Sequence, residues 1–435
     1  SPSGVAANAQ AVFDAAREAP QTKALTIPEI AEVVGHFAAA AGRCRQAGLD
    51  FVEIHAGHGY LISAFLSPFF NRRDDAYGGD FEGRSRFLVD ILKATKAAVG
   101  PRVAVGVKIN GDDFMPPGLE GWTLDDACRL APILEAEGAD YISVTAGAMG
   151  STRLTVPPMY EPQGCFADMA EAVRSTVSIP VATVGRVKHP AMADALIRDG
   201  KADFVCMGRA MIADSQIVDK ARAGDLDDIR LCLADCRGCI DQEMRGIKAG
   251  HPGSTSCVVN PRMQRESVCI DIEGDRKGAA KTVLVVGGGL AGLEAARRTA
   301  FSGHRVTLCE SRSWLGGQIR LAAMIPGRVE IGDMLPWYER QLAKHGVEVR
   351  LGVIVDAAML DALKPDVVVI ATGSEPSVPQ NLMGLISSAG DIAMLTVDDV
   401  LEHHAEAGAN VLVVGGDQIG MQVADYLSEG GRTVC

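Results

Sequence analysis

Two imidazoles and a phenol lie close together in the segment His55-Ala-Gly-His58-Gly-Tyr60. Imidazoles can hydrogen-bond to a carbonyl or nitro oxygen and polarise it, and a phenol can deliver a proton. The apolar run before His58 predicts a strand, so all three groups are expected where that strand ends. Their convergence favours a catalytic site over isolated structural histidines or a metal site.

A glycine-rich turn, Gly287-Gly-Gly289-Leu-Ala-Gly292, follows an apolar run and opens a predicted helix. Glycines here permit a tight turn and a close approach of the backbone to a pyrophosphate, and the helix N-terminus supplies hydrogen-bond donors. The next predicted strand ends at Glu310, whose carboxylate can accept from the hydroxyls of an adenosine ribose. The arrangement predicts a site for an ADP moiety.

Two neighbouring segments extend the prediction for this region. An Ala-Thr372-Gly373 tripeptide follows another apolar strand, which is typical of a domain like those of the flavin disulfide reductases. We assign Gly317 and Gln318 to the same cofactor site. These segments therefore support a domain like those of the flavin disulfide reductases around the ADP-moiety site.

A second glycine-rich turn lies near the end of the chain, from Gly415 to Gly420. Asp417 stands where the middle glycine is expected, and a carboxylate near a pyrophosphate is electrostatically unfavourable. Two alternatives therefore stay open. The unit binds the nicotinamide dinucleotide NAD(P)H, or it is a Rossmann-type unit kept for packing.

Two predicted strand ends carry the same pair of residues, Gly185-Arg186 and Gly208-Arg209. Glycine amides and arginine guanidinium groups suit a phosphate dianion. In barrels of alternating strands and helices, the loops after strands seven and eight commonly bind phosphate. The repetition in consecutive units predicts a phosphate site.

Four of the eleven cysteines crowd together, at Cys232, Cys236, Cys239 and Cys257. Such a set can ligate zinc or a cubane iron–sulfur cluster, and spacing alone does not choose between them. Their position between a barrel and a dinucleotide domain favours a [4Fe–4S] cluster, because zinc would only link loops there. Unrelated thiols are the third alternative. Clustering of this kind favours metal ligation in a reducing compartment over a disulfide framework.

Composition narrows the classes of function. The chain has 435 residues, a net charge of −13, 47% hydrophobic and 22% charged residues, which is enough apolar material for two or three cores. Basic residues are scattered, so we expect no nucleic-acid or membrane partner, and no apolar stretch is long enough to span a bilayer. We expect a cytoplasmic protein that acts on a small molecule, and a homo-oligomer is an open alternative for its assembly.

The elements that must position these residues follow an alternating pattern. The predicted strands are Phe51–His55, Val103–Asn110, Tyr141–Thr145, Val181–Gly185 and Phe204–Gly208. Helices are predicted between them, at Ser85–Val99, Thr123–Glu137 and Pro190–Asp199. The pattern predicts the α/β class and part of a TIM (β/α)8 barrel, with about three units before residue 1. An open doubly wound sheet is the alternative.

Four regions follow along the chain. We expect the C-terminal part of a phosphate-binding barrel at residues 1–228 and an iron–sulfur segment with a linker at 229–280. A Rossmann-like domain that binds an ADP moiety is predicted at 281–395, and the start of an NAD(P)-binding-like subdomain at 396–435. Since residue 1 is not methionine and residue 435 falls inside a unit, truncation at both ends is expected.

Several motifs together resemble the old yellow enzyme family. They are His55-Ala-Gly-His-Gly-Tyr-Leu61, Phe65-Leu-Ser-Pro68, Asn71-Arg-Arg73, Tyr77-Gly-Gly79 and Arg84-Ser-Arg-Phe87. The four-cysteine segment and the dinucleotide domain resemble its extended branch, which contains 2,4-dienoyl-CoA reductase, 2-enoate reductase and trimethylamine dehydrogenase. The resemblance covers nearly the whole chain, with a longer first cysteine gap than is usual in the family.

The resemblance implies FMN in the barrel at residues 1–228, a [4Fe–4S] cluster, and FAD or ADP in the second domain at 281–395, with NAD(P)H as the reductant. Lys108 would lie near the flavin pyrimidine, where family members more often have arginine, and its charge would stabilise the reduced flavin. The two Gly-Arg pairs would hold the FMN phosphate. His55 and His58 would polarise the substrate carbonyl, and Tyr60 would protonate Cα after hydride transfer to Cβ.

Three functions compete. The leading hypothesis is NAD(P)H-dependent reduction of an activated C=C bond in an enoate or enoyl thioester. The alternative is oxidative demethylation of an amine. It is less favoured because amine dehydrogenases of the family carry tyrosine at the position of His55 and an acid after the strand ending at Thr145, and this chain has neither. The third possibility is an electron-transfer or sensor protein that catalyses no reaction of its own. It stays open because Asp417 leaves nicotinamide binding undecided, and the intact His55, His58 and Tyr60 argue against it.

Overall fold

The computed structural model describes residues 23–248, 255–268, 278–377, 392–402 and 407–435. The chain divides into two compact units after Met211. No helix in these ranges is both long enough and apolar enough to cross a membrane.

The first unit contains a five-stranded parallel sheet. Its strands are β1 (Phe51–Ala56), β2 (Ala104–Asn110), β3 (Tyr141–Thr145), β4 (Val181–Thr183) and β5 (Phe204–Val205). They are hydrogen-bonded in the order β1-β2-β3-β4-β5, and each pair is parallel. This order has no reversal, whereas a doubly wound sheet needs one. The strands therefore form an arc of the predicted barrel.

Helices separate the strands and cover one face of the sheet. They are Ile27–Gln46, Leu61–Leu66, Phe81–Val99, Leu124–Ala136, Thr152–Thr155, Ala167–Arg174, Pro190–Arg198 and Gly208–Ala213, the last of which crosses the limit of the unit. Alternate residues of β2, namely Val105, Val107 and Ile109, are fully buried in the core. The residues between them lie on the opposite face, because side chains alternate along a strand. That opposite face carries the polar groups described below.

Several predicted bounds were wrong by a few residues. The helix predicted from Ser85 begins at Phe81, since the Asp80 side chain caps it by accepting from the Gly83 N–H at 2.8 Å. The strand predicted to reach Gly185 ends at Thr183, because the chain leaves the extended conformation there. The strand predicted to reach Gly208 ends at Val205, and Gly208 begins a helix instead.

The second unit contains a four-stranded parallel sheet. Its strands are β6 (Thr282–Val286), β7 (Arg305–Glu310), β8 (Glu348–Leu351) and β9 (Val367–Ile370). Their order is β8-β7-β6-β9, so the direction of winding reverses beside β6. Ligands of open parallel sheets bind at such a reversal, outside the carboxyl ends of the strands. The predicted Rossmann-like fold is confirmed.

Eight α-helices, two short 3-10 helices (Leu226–Asp228 and Val329–Asp333) and a two-stranded parallel sheet complete the described part of this unit. The helices are Ile217–Ala223, Ile240–Lys248, Leu290–Phe301, Gln318–Ala322, Met334–Lys344, Ala357–Leu363, Val397–Glu402 and Gln418–Glu429. The small sheet pairs β10 (Asn410–Val411) with β11 (Thr433–Val434). The segment before the cysteines packs on the dinucleotide fold. There the Asp228 carbonyl accepts from the Trp337 indole at 3.0 Å, and its carboxylate accepts from the Gln341 amide at 2.5 Å.

Candidate functional site

The structure brings His55, His58 and Tyr60 together at the carboxyl end of β1. The rings of His55 and His58 are 5.1 Å apart between centroids, and those of His55 and Tyr60 are 5.4 Å apart. Tyr60 is 53% exposed. His55 Nδ1 is buried and has no hydrogen-bond partner within the described residues. A buried polar atom without a partner is costly, which fits a position meant for a bound polar group.

Two residues that sequence reasoning missed hold His58 in place. Its ring Nε2 lies 2.8 Å from the Thr145 hydroxyl, and its backbone N–H donates to Asn110 Oδ1 at 3.0 Å. Asn110 and Thr145 end the neighbouring strands β2 and β3. Polar residues at consecutive strand ends are the signal that could have found them.

Both imidazoles of the site resist protonation. Burial, with smaller contributions from the nearby His55 and Lys108, lowers the pKa of His58 to about 4. Burial also lowers the pKa of His55, and Lys108 acts in the same direction. Both rings are therefore neutral near pH 7, and a neutral imidazole keeps one N–H with which to polarise a bound oxygen.

Lys108 is paired with a carboxylate on the same face of the sheet. Its Nζ lies 2.6 Å from Glu53 Oε1, and both side chains are about a quarter exposed. The pairing follows from the parallel register, which sets Lys108 of β2 opposite His55 of β1. Glu53 lies two residues before His55, so its side chain is on the same face of the sheet. Burial and the charge of Glu53 raise the pKa of the neighbouring Tyr141. The predicted flavin-side cation is thus partly neutralised by a carboxylate that sequence reasoning did not select.

The two predicted Gly-Arg pairs lie near each other at the ends of β4 and β5. Burial raises the pKa of the Cys165 thiol to about 11, while the charges of Arg186 and Arg209 both oppose that rise. Both guanidinium groups therefore lie near one thiol. Arg186 is buried, and one of its N–H groups donates to the Glu161 carbonyl. The two cations and the turn at Gly185 suit a phosphate, with Arg186 also holding the loop before Cys165.

The glycine-rich turn after β6 has the geometry of a dinucleotide site. A side chain at Gly292 would overlap the Gly287 carbonyl, so only glycine lets the helix approach the turn this closely. The carboxylate of Glu310, at the end of β7, accepts from the Gly288 N–H at 2.6 Å. Gly289 precedes the helix Leu290–Phe301, whose first N–H groups face the turn. These residues fit the pyrophosphate and ribose of an ADP moiety.

The other residues assigned to this cofactor lie at the same edge of the sheet. Gly317 begins the short helix Gln318–Ala322, and the adjacent Gly316 is bridged to Gly289. The Gln318 amide lies 3.4 Å from the Ser374 carbonyl, directly after Thr372 and Gly373. All of them surround the place where the sheet reverses direction, which fits an extended dinucleotide.

In the second glycine-rich turn, Asp417 is an N-terminal cap. Its carboxylate accepts from the Gly420 N–H at 2.8 Å, and it precedes the helix Gln418–Glu429. Gly420 packs against the Gly415 carbonyl, as Gly292 does in the first turn. The backbone is therefore that of a nucleotide-binding turn, but the Asp417 carboxylate occupies one N–H donor at the start of the helix, where a pyrophosphate would bind.

The four clustered cysteines are half-buried, and none forms a disulfide. The Ser256 N–H donates to the Gly238 carbonyl at 2.6 Å, which brings the residues next to Cys239 and Cys257 into contact. Cys232 and Cys257 pack against one hydrophobic core. Within the described ranges, no group of three or more metal-ligating side chains is already arranged around a common point. The donor set suits iron or zinc, and the cluster itself stays a prediction.

A parallel barrel arc with two imidazoles and a phenol after its first described strand, followed in the chain by a dinucleotide fold, is the arrangement found in proteins that bind flavins and nucleotides. The family comparison agrees. Residues 1–228 match the model of the NADH:flavin oxidoreductase / NADH oxidase family, and residues 281–435 match that of pyridine nucleotide-disulphide oxidoreductases. The chain belongs to the NADH:flavin oxidoreductase / NADH oxidase family. Its resemblance to the old yellow enzyme branch is thereby confirmed.

The relatives include both reductases and amine dehydrogenases. The chain is 38% identical to NADH oxidase of Thermoanaerobacter brockii and 37% identical to N,N-dimethylglycine/sarcosine dehydrogenase of Chromohalobacter salexigens, over 95% of its length in each case. It spans 62% and 59% of those proteins. A solved structure of 2-naphthoyl-CoA reductase with 2-naphthoyl-CoA is similar with a TM-score of 0.86 and 30% identity, over 96% of this chain and 61% of that one.

Proposed function

We propose that the protein containing this chain reduces an activated C=C bond, such as that of an enoate or enoyl thioester, at the expense of NAD(P)H. One observation carries the proposal. His55, His58 and Tyr60 converge at the end of β1 as two neutral hydrogen-bonding rings and one exposed phenol. That set suits a substrate with a carbonyl to polarise and a carbon to protonate.

The two histidines share one role in this proposal, and Tyr60 has another. His55 and His58 bind the carbonyl oxygen, and their N–H groups stabilise the negative charge that develops there. Tyr60 gives its proton to Cα of the substrate. The buried Nδ1 of His55 supports the presence of a bound polar partner in this place.

The cofactors are assigned by the fit of the chain's own residues. Lys108 and the pairs Gly185-Arg186 and Gly208-Arg209 would hold FMN, and the turn from Gly287 to Gly292 with Glu310 would hold FAD. Cys232, Cys236, Cys239 and Cys257 would hold a [4Fe–4S] cluster. When bound, FAD would accept reducing equivalents from NAD(P)H, the cluster would carry electrons, and FMN would supply hydride to the substrate.

Amine oxidation is the second candidate, because one relative is an N,N-dimethylglycine/sarcosine dehydrogenase. The site favours the reductase. The residues after β3 are Ala146, Gly147 and Ala148, so no carboxylate stands there to accept an ammonium group. We further infer a small-molecule substrate, since the net charge of −13 opposes binding to nucleic acid or anionic membranes. We also infer a cytoplasmic location, because the clustered thiols favour a reducing compartment.

An anaerobic titration of the full-length protein tests the proposal. NADH or NADPH should bleach the flavin absorbance, and an enoate such as cinnamate should restore it. Bleaching by N,N-dimethylglycine without nicotinamide, and no response to enoates, would replace the reductase by an amine dehydrogenase.

Tyr60→Phe gives a sharper test of the site. We expect flavin reoxidation by enoate to slow by about 100-fold, because a general acid contributes roughly that much, while reduction by nicotinamide stays nearly unchanged. Stopped-flow absorbance measures the two half-reactions separately. The control is Tyr77→Phe, whose hydroxyl instead donates to Asp90 at 2.9 Å. Equal losses in both half-reactions of Tyr60→Phe would show that Tyr60 is structural.

A further inference from the structure

The backbone of His58 is held in an uncommon conformation. Its φ is +62°, in the left-handed region that residues with side chains rarely adopt. Such a conformation persists only where the surroundings determine it, and it is frequent at functional sites. The contacts that hold His58 are therefore part of how the site is built.

The main contact comes from a buried amide on the neighbouring strand. Asn110 is 2% exposed, and its Oδ1 accepts from the His58 N–H at 3.0 Å. Its Nδ2 donates to the Gly147 carbonyl at 2.9 Å and to Asp113 Oδ1 at 2.7 Å. One side chain thus joins the loops that follow β1, β2 and β3.

The fit around this amide leaves little room for movement. A Cβ atom at Gly57 would lie only 2.8 Å from Asn110 Oδ1, so the loop before His58 passes directly over the amide. Asp113, which is 1% exposed, is itself fixed because its Oδ2 accepts from the Trp122 N–H at 3.2 Å. All the polar atoms of the Asn110 amide therefore have defined partners.

We propose that Asn110 is a positioning residue that fixes His58 for its hydrogen bond to the substrate, with Asp113 anchoring Asn110. The role in substrate binding rests on the proposed function. Asn110 touches no reacting atom and acts through the backbone of His58. Thr145 completes the arrangement from the other side, since its hydroxyl lies 2.8 Å from His58 Nε2.

The chain offers a matched control for this test. Asn71 is also buried, and its Nδ2 donates to two carbonyls, those of Phe65 at 2.7 Å and Tyr77 at 2.8 Å. It therefore has the same chemistry as Asn110 but contacts none of His55, His58 and Tyr60 through these bonds. Asn71→Ala should cost stability and leave the site intact.

The experiment compares Asn110→Ala with Asn71→Ala in full-length protein labelled with ¹⁵N-histidine, where His58→Gln assigns the His58 ring signals. We expect those signals to shift and broaden in Asn110→Ala and to stay at their native positions in Asn71→Ala. Reoxidation of the flavin by saturating enoate should slow by about 10- to 100-fold in Asn110→Ala alone, since small misplacements have costs of this size.

A second variant keeps the proposal testable if Asn110→Ala does not fold. Asp113→Asn keeps the volume but removes the charged acceptor of Asn110, so it should move the His58 signals less far and slow reoxidation less. Unchanged His58 signals in a folded Asn110→Ala or Asp113→Asn protein would overturn the proposal. If enoates fail to reoxidise the flavin of the native protein, the proposed function is wrong. The comparison of the His58 ring signals would still decide whether Asn110 positions His58.

Discussion

At the scale of single residues, charge state and contacts decide what the site can do. His58 is neutral near pH 7 because it is buried beside His55 and Lys108. Lys108 keeps its own charge partly compensated by Glu53 at 2.6 Å. The candidate site therefore presents neutral imidazoles after β1 and a cation balanced by a carboxylate on the adjacent strand.

The depressed pKa of His58 has a consequence for stability. It lies at about 4 in the folded protein against an ordinary value of 6.5. Between these two pH values the unfolded chain binds a proton that the folded chain does not, so stability is lost as the pH falls. Lowering the pH from 7 to 4.5 should therefore reduce the free energy of unfolding of His58→Gln by about 2 kcal/mol less than that of the native protein.

Urea unfolding at the two pH values measures this difference. His36→Gln is the control, because His36 is an exposed histidine of the same unit and should behave like the native protein. A pH dependence that is the same in His58→Gln as in the native protein would show that the folded pKa of His58 is not depressed.

At the scale of elements, helix starts and strand ends build the binding sites. The helix Leu290–Phe301 approaches the turn after β6 because Gly292 has no side chain. Its counterpart Gln418–Glu429 starts with the same close approach, but Asp417 already caps it. Two similar turns thus offer different electrostatics to an anionic ligand.

Gly292→Val tests the first of these turns. The new side chain would overlap the Gly287 carbonyl, so the helix must move away and the pyrophosphate site must open. We expect the purified full-length variant to lose nearly all FAD and to keep FMN, as measured by acid extraction and chromatography. Ala291→Val is the control in the same helix, since Ala291 is exposed and should keep both flavins. Native FAD content in Gly292→Val would refute the assignment.

At the scale of the whole molecule, the proposed electron path depends on which group the cysteine segment binds. The chain has two regions suited to flavins, and the cysteine segment lies between them in sequence. A tetrahedral zinc site would give no electron path, whereas an iron–sulfur cluster would. Whether the cysteine segment binds iron, zinc or no metal therefore decides whether electrons can pass between the two flavin regions.

Cys239→Ser tests the metal. The native full-length protein should contain about four iron atoms and four sulfides per chain, and the variant should contain less than about one of each. Atomic emission and a sulfide assay measure both. Cys44→Ser, which changes a half-buried cysteine of the first unit, should retain the native content. One zinc per native chain, or no metal at all, would contradict the proposed electron path.

Much of this fold was predictable because its signals are local. Each strand or helix is indicated by the periodicity of a short run of residues. The turn from Gly287 to Gly292 and the cluster from His55 to Tyr60 are each six residues long. The strand bounds at Gly185 and Gly208 were wrong because an apolar run does not show where the backbone turns away. Local patterns thus identified the elements better than their ends.

The sequence by itself determined the family, the parallel α/β class and the residues able to do acid–base chemistry, since these depend on residue types at short spacings. Only the tertiary structure decided the strand order and the partners of His58 and Lys108. Asn110 is 52 residues from His58, and Glu53 is 55 residues from Lys108. Such pairs meet because parallel strands align their carboxyl ends after long crossovers, and no local pattern records which residues the register sets side by side.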